Sequence, residues 1–190
     1  MLDAAEQVFG LDGFRDGSLR RIGELSGFST AAIYLFFENK QQLLTEMLSR
    51  RGEDWSARVA SAAERDLSPL DKLHAIVDMA TAYFAEHPDF LRVLGHLRGE
   101  ATLARLDFGD TSNVGRDYFV EIRDCIAGII EDGQEQGDLR EGHPRTLAHL
   151  FSLLVNEFLL LGDGSRVDPL AASQFHALVG GAFGTHPDVG

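Results

Sequence analysis

Apolar residues recur at three- and four-residue spacing along almost the whole chain, while strand signals, alternating Val, Ile, Thr and aromatic residues joined by hairpin turns, are missing. That periodicity puts an apolar stripe on one helix after another and confines the chain to an all-α fold. The stop and start signals divide it into eight or nine helices. A first helix runs from Leu2 to about Gly10, presents Ala5, Val8 and Phe9, and ends at Leu11-Asp12-Gly13. Ser18 suits the N-cap of a short helix holding Leu19, Ile22 and Leu25 and ending at Gly27. Ser29 caps a third, with Ile33 inward and Tyr34 and Phe37 at its end. Asn39, with Gln42 three residues on, reads as a capping box opening a long helix through Leu43, Leu44, Met47 and Leu48 to Trp55 and Val59.

Further along, Ser68-Pro69 starts a helix (Leu70, Leu73, Ile76, Val77, Ala80, Phe84) that ends near His87-Pro88, and Pro88 starts another over 90–97. Residues 106–113 read as a loop. A long helix from Val114 to Gln136 is closed by Gly137; Pro144 opens one that lasts to Leu161 and stops at Gly162-Asp163-Gly164. Asp168-Pro169 opens the last, to about Phe183.

The 190 residues include a single cysteine, Cys125, which excludes an internal disulfide framework and points to a reducing, cytoplasmic setting. The apolar stretch 147–161 is interrupted by His149, Asn156 and Glu157 and is too short to span a membrane. No cationic segment followed by an apolar run opens the chain, so export is not expected. The net charge of −13 argues against a general, charge-driven binder of nucleic acid or anionic membrane. Its distribution is uneven: residues 1–51 hold seven acids and six bases, and nearly all the excess lies beyond them. A near-neutral N-terminal unit, residues 1–48, and an acidic body, residues 49–190, are the expected domains.

The two short helices joined by Ser26-Gly27-Phe28-Ser29 have the dimensions of a helix-turn-helix, whose exposed Thr30, Ala31 and Tyr34 would lie toward a DNA groove. The wider string is more specific. Leu2-Asp3-Ala4-Ala5, Phe9, Gly13-Phe14, Ser18-Leu19-Arg20, Ile22, Gly27-Phe28-Ser29, Ile33-Tyr34, Phe37, Asn39-Lys40 and Leu43-Leu44 resemble, over residues 2–48, the DNA-binding domain of TetR-family transcriptional repressors. The resemblance implies an operator-binding face. Ser18 and Ser29 would offer hydroxyls and helix N-terminal N–H groups to phosphates. Tyr34 and Lys40 would meet the DNA backbone, Thr30 and Ala31 base edges, and Arg20 a phosphate or a guanine edge.

The chain departs from the family at Gly17 (usually Thr), Gly23 (usually Ala) and Phe36 (usually His), and Glu38 puts a negative charge near the expected backbone. Met1 abuts the motif directly where the family carries several further residues, so a shortened chain or weaker binding is expected. These departures motivate the alternative reading, a helical ligand-binding or sequestering protein with lost or weak DNA binding.

In the same family the remaining helices sense a ligand and form a homodimer. The helix over 147–161 is apolar nearly all round and must be covered on more than one face. The last helix carries small residues that permit close approach. Phe151, Leu154, Phe158, Leu161, Phe175, Ala177, Gly180 and Gly181 are the candidates for a two-fold interface. Candidates for an effector pocket are Trp55, Tyr83, Phe84, Phe90, Leu94, Phe119, Ile122, Cys125, Phe151 and Phe158, which suit a small, largely apolar molecule; plain core packing is the competing role for each. His87, His96, His149, Asn156 and Glu157 could orient it.

No metal, cofactor or catalytic motif is visible: no Glu-x-x-His, no paired-cysteine spacing and no phosphate-binding glycine loop occurs. Cys125 reads as an inert core thiol, Asp71…His74 as surface, and the histidines as scattered. The expectation is therefore a non-enzymatic, dimeric, ligand-responsive repressor whose partners are double-stranded operator DNA and a small effector, with no membrane.

Overall fold

The computed structural model describes residues 1–103, 114–161 and 169–185, with side chains except at 98–103, 114–119 and 169–170. The described residues form nine helices: α1 (Leu2–Asp16), α2 (Leu19–Ser26), α3 (Thr30–Ile33), α4 (Lys40–Ala63), α5 (Pro69–Glu86), α6 (Pro88–Leu103), α7 (Val114–Gln136), α8 (Pro144–Leu161) and α9 (Pro169–Phe183). Among them strand pairing is limited to one isolated bridge, Leu139 with Gly184. The loop expected over 106–113 and the stop at Gly162-Asp163-Gly164 lie outside the described residues.

The chain forms two compact units that do not follow chain order. One comprises Met1–Asp54 and His87–Tyr118, the other Trp55–Glu86 and Phe119–Gly190. The continuous helices α4 and α7 each run from one unit into the other.

In the first unit, α1 goes further than the sequence suggests. Gly13 takes φ +75°, open to glycine but rarely to other residues, and helical winding resumes to Asp16 around this kink. Ala4, Ala5, Val8 and Phe9 are buried on α1, Ile22 on α2, Ile33 on α3, and Leu43, Leu44 and Met47 on α4. From α6, which begins two residues earlier and ends later than its apolar core suggests, Phe90, Leu91 and Val93 are buried. Helices α1 and α6 touch at the backbone: a Cβ on Gly10 would stand 2.7 Å from the Asp89 carbonyl oxygen. His96 Nε2 lies 3.2 Å from the Gly10 carbonyl oxygen.

The same unit contains a buried carboxylate. Glu6, 5% exposed, accepts from Arg51 Nε at 2.6 Å and from a second guanidinium nitrogen at 3.0 Å. The third nitrogen of Arg51 lies 3.3 Å from His87 Nε2, and Arg50 donates to Asp3 at 2.5 Å. One charged network thus joins α1, α4 and the residue preceding α6.

The second unit packs around α5, with Leu73, Ile76, Val77, Ala80, Tyr83 and Phe84 buried. Helix α8 buries Ala148, Phe151, Val155 and Leu159, one stripe at three- and four-residue spacing, while Leu150 and Leu161 stay exposed. Phe158 stacks on Phe175 of α9 with centroids 4.1 Å apart, and Phe151 meets Phe183 edge to face at 5.6 Å. The turn after α7 is tied to the end of α9 by Arg140 N–H to Phe183 O (2.9 Å) and Thr185 N–H to Asp138 O (3.1 Å).

Candidate nucleic-acid interface

The corner between α2 and α3 is built locally. Gly27 ends α2 in the left-handed region at φ +74°, where glycine carries no steric penalty. The Phe28 N–H closes the turn onto Gly23 O at 3.0 Å. A Cβ on Gly23 would stand only 2.5 Å from the Phe28 carbonyl oxygen, so glycine at this position draws the two helices close. Ser29 then caps α3, its Oγ accepting the Ala32 N–H at 3.0 Å. Ser18 occupies the N-cap position of α2 with an extended backbone, but its hydroxyl makes no capping bond and is exposed. At α4, Asn39 Oδ1 accepts the Gln42 N–H at 2.8 Å, and the Gln42 side-chain Oε1 accepts from Glu38 N–H at 2.6 Å, one residue before the expected partner.

Ile33 anchors α3 in the core, and the winding continues past it. Tyr34 N–H bonds Thr30 O at 3.3 Å, and Phe37 N–H bonds Ile33 O at 3.0 Å. Ala31 and Tyr34, three positions apart, therefore share one face, and Leu35 follows in a tighter turn, its N–H bonding Ala32 O at 3.2 Å. All three are exposed, and Thr30 is half-buried beside them.

The cations are less free than their sequence positions suggest. Lys40 Nζ donates to Arg15 O at 2.9 Å and Gly17 O at 3.1 Å, and sits 4.8 Å from the Phe14 ring centroid. It closes the carbonyl end of α1, a geometry invisible in a position-by-position reading. Arg20 pairs with Glu24 at 3.2 Å in the open, and Arg21 binds Asp12 through both carboxylate oxygens. Residues 22–39 contain no Lys, Arg or His and two acids, Glu24 and Glu38. Sequence reasoning did not single out Leu35, exposed in the turn beside this face; its position off the Ile33 stripe was the available signal.

The effector candidates are divided by the fold. Phe90, buried, and Leu94, half-buried, belong to the first unit; Trp55, Tyr83, Phe84, Ile122, Cys125, Phe151 and Phe158 belong to the second. Phe119 lies outside the described side chains. Trp55 packs on Tyr83 and Phe84, with centroids 5.3 and 5.9 Å apart. A groove of about 420 Å³ on the second unit is lined by Asp124, Ala127, Gly128, Glu131, His143, Pro144 and Arg145, and includes none of the candidates. Cys125 Sγ lies 3.9 Å from Val59 O, and burial, with the Glu64 carboxylate adding to it, pushes the thiol up from its ordinary value.

Of the interface candidates, Phe151 and Phe175 are buried within the single chain; Leu154, Phe158 and Gly180 are half-buried, and Leu161, Ala177 and Gly181 exposed. Glu157 is exposed and Asn156 half-buried.

The histidines are not all scattered. His74, half-buried on α5 rather than on the surface, meets His176 of α9 edge to face at 5.0 Å, and His176 Nε2 lies 2.8 Å from Asp78. Burial, followed by repulsion from His176, holds the His74 imidazole below its ordinary value. Asp71 instead accepts from Ser68 Oγ at 2.7 Å, in the N-terminal cap of α5. Among the described residues no group of three or more His, Cys, Asp or Glu side chains could hold a metal, and no helix is long and apolar enough to cross a membrane.

Comparison with known proteins agrees with this corner-built interface. The pattern described as bacterial regulatory proteins, tetR family, matches residues 1–47. The HTH-type transcriptional repressor NicS of Pseudomonas putida is 27% identical over 158 residues, covering 79% of this chain and 69% of that protein. Two solved structures share the fold. A putative transcriptional regulator from Saccharomonospora viridis in complex with choline has TM-score 0.79 at 20% identity, covering 97% of this chain and 96% of its own. The transcriptional regulator FadR from Bacillus subtilis in complex with stearoyl-CoA has TM-score 0.74 at 17% identity, covering 94% and 95%. Over residues 1–47 the chain is thus similar to the tetR family of bacterial regulatory proteins, and the curated relative that extends over most of its length is a DNA-binding transcriptional repressor.

Proposed function

We propose that the chain is a cytoplasmic homodimeric repressor that holds an operator through two copies of its helix-turn-helix and leaves it when a small, largely apolar effector binds the helical body. The observation that carries the reading is the α2–α3 corner, closed by Gly23, Gly27 and the Ser29 cap, with the exposed face of α3 beyond it. In this reading Ser18, Ser29, Tyr34 and Arg20 meet the DNA backbone, and Thr30 and Ala31 lie at base edges. Lys40 reaches a phosphate only by releasing the two carbonyls it now holds, so its main part is to fix the end of α1.

A second copy is the proposed cover for the apolar face that α8 and α9 leave open. Leu150 is 47% exposed, Leu161 84% and Leu178 52%, with Ala177 and Gly181 offering a close approach. Support for an effector comes from relatives of the same fold, one holding stearoyl-CoA and one choline. Binding that favours a half-site spacing unsuited to the operator would lower affinity by the coupling free energy, about 1–3 kcal/mol.

A gel shift with the promoter region beside the gene, run across a salt series, tests the reading. A retarded dimer complex at low salt is expected, weakened by Tyr34→Phe with dimerisation unchanged. Absence of any shift at low salt would refute DNA binding and favour the sequestering protein.

A further inference from the structure

The turn after α3 carries the most exposed large apolar side chains described in the first unit: Leu35 is 84% and Phe36 65% exposed, beside Tyr34 at 55%. Leu25 and Phe28, on the approach to α3, are 50% and 45% exposed. Such a patch on a small unit marks a surface that meets something. The patch adjoins the end of α3, the helix that a helix-turn-helix turns toward the major groove: Leu35 N–H bonds Ala32 O at 3.2 Å and Phe36 N–H bonds Ile33 O at 3.0 Å, in the tight turn that leaves the helix. The segment 22–39 has no cation with which to bind guanine or phosphate, and its acids, Glu24 and Glu38, disfavour close phosphates. The major groove presents one apolar group to such a surface, the 5-methyl of thymine.

We propose that Leu35, at the end of the helix that exposes Ala31 and with Phe36 widening the patch, reads thymine methyl groups, so that operator selectivity rests on apolar contact rather than on cationic side chains. The inference depends on the operator-binding reading above. It makes the recognition step independent of salt, while the few polar groups around Ser18, Arg20 and Ser29 supply the salt-dependent part.

The test uses the full chain and duplexes selected by it from a random-sequence library, with affinity read by fluorescence anisotropy at constant salt. Replacing a contacted thymine by deoxyuridine removes only the methyl group and keeps base pairing. The expected loss is about fourfold for one methyl and about fifteenfold when both half-sites are changed. Leu35→Ala, at a site so exposed that folding is unaffected, should bind thymine and deoxyuridine duplexes equally, with an unchanged thermal unfolding curve; Phe36→Ala should show a partial loss of the difference. Equal binding of both duplexes by the wild-type chain overturns the proposal, as does full deoxyuridine sensitivity in Leu35→Ala. A change of oligomeric state in Leu35→Ala, with DNA discrimination intact, assigns the patch to a second copy and overturns it too. If no duplex is enriched even at low salt, the operator-binding reading itself falls, and this proposal with it.

Discussion

Removing the guanidinium of Arg51 should destabilise the first unit far more than its place on a polar helix face suggests. Glu6 is 5% exposed, and Arg51 binds both of its oxygens, at 2.6 and 3.0 Å. Arg51→Met keeps the aliphatic stem but leaves a carboxylate in a site closed to water. Breaking such a buried pair costs about 3–5 kcal/mol. Arg50, whose guanidinium is 3.8 Å from the same carboxylate, can move in and offset part of this, so the lower end, about 3 kcal/mol, is the working value. For a chain of this length that corresponds to a fall in Tm of roughly 6–12 °C. Urea unfolding at neutral pH, followed by circular dichroism, measures it. The double variant Glu6→Leu with Arg51→Met leaves neither charge behind and should recover most of the loss. A penalty below about 1 kcal/mol would mean the pair behaves as an exposed one and would refute the reasoning. So would a double variant as unstable as the single one.

Three further outcomes follow from the same geometry. Gly10→Ala should destabilise by about 1–3 kcal/mol, because its Cβ would stand 2.7 Å from the Asp89 carbonyl oxygen and α1 and α6 must part; a gain in Tm from helix propensity would contradict that contact. Ser29→Ala removes the hydroxyl that accepts the Ala32 N–H and should lose about 1 kcal/mol in urea unfolding, while Ser18→Ala, whose hydroxyl makes no capping bond, should lose little; the opposite order would discredit the assignment of caps. His74 is held below its ordinary value of 6.5, so the unfolded chain takes up a proton that the folded chain resists. Its contribution is complete above about pH 6.5 and is lost as pH falls through the lower folded value. Tm should therefore drop on acidification, and less steeply in His74→Phe; parallel curves would remove His74 from the account.

Much of the fold was legible in the sequence because its signals are local. Gly27 and Gly137 end helices, at positive φ, through their own backbone freedom, and Pro69, Pro88, Pro144 and Pro169 stand at the first positions of four helices. Ser29 and Asn39 cap the helices that follow them using atoms three residues away. The end of α1 was misjudged for a related reason: Gly13 is a helix breaker in sequence, yet here one residue at φ +75° bends the path and the winding resumes.

What escaped is what depends on residues distant in the chain. Lys40 reads as a cation free for phosphate until the end of α1, more than twenty residues earlier, is folded against it. His74 and His176 share no spacing, and they meet only because α5 and α9 pack together. The network of Glu6, Arg51 and His87 draws on three separate stretches of chain.

The sequence by itself determined the helices, the Ser29 and Asn39 caps and the helix-turn-helix, because periodicity and capping act within a turn or two of the chain. Only the tertiary structure decided which charges are spent inside the fold and which side chains stay outside. It tied Lys40 to carbonyls, buried Glu6 beneath an arginine and left Leu35 in the open. Burial and pairing belong to the environment that distant residues create, and no window along the chain contains it.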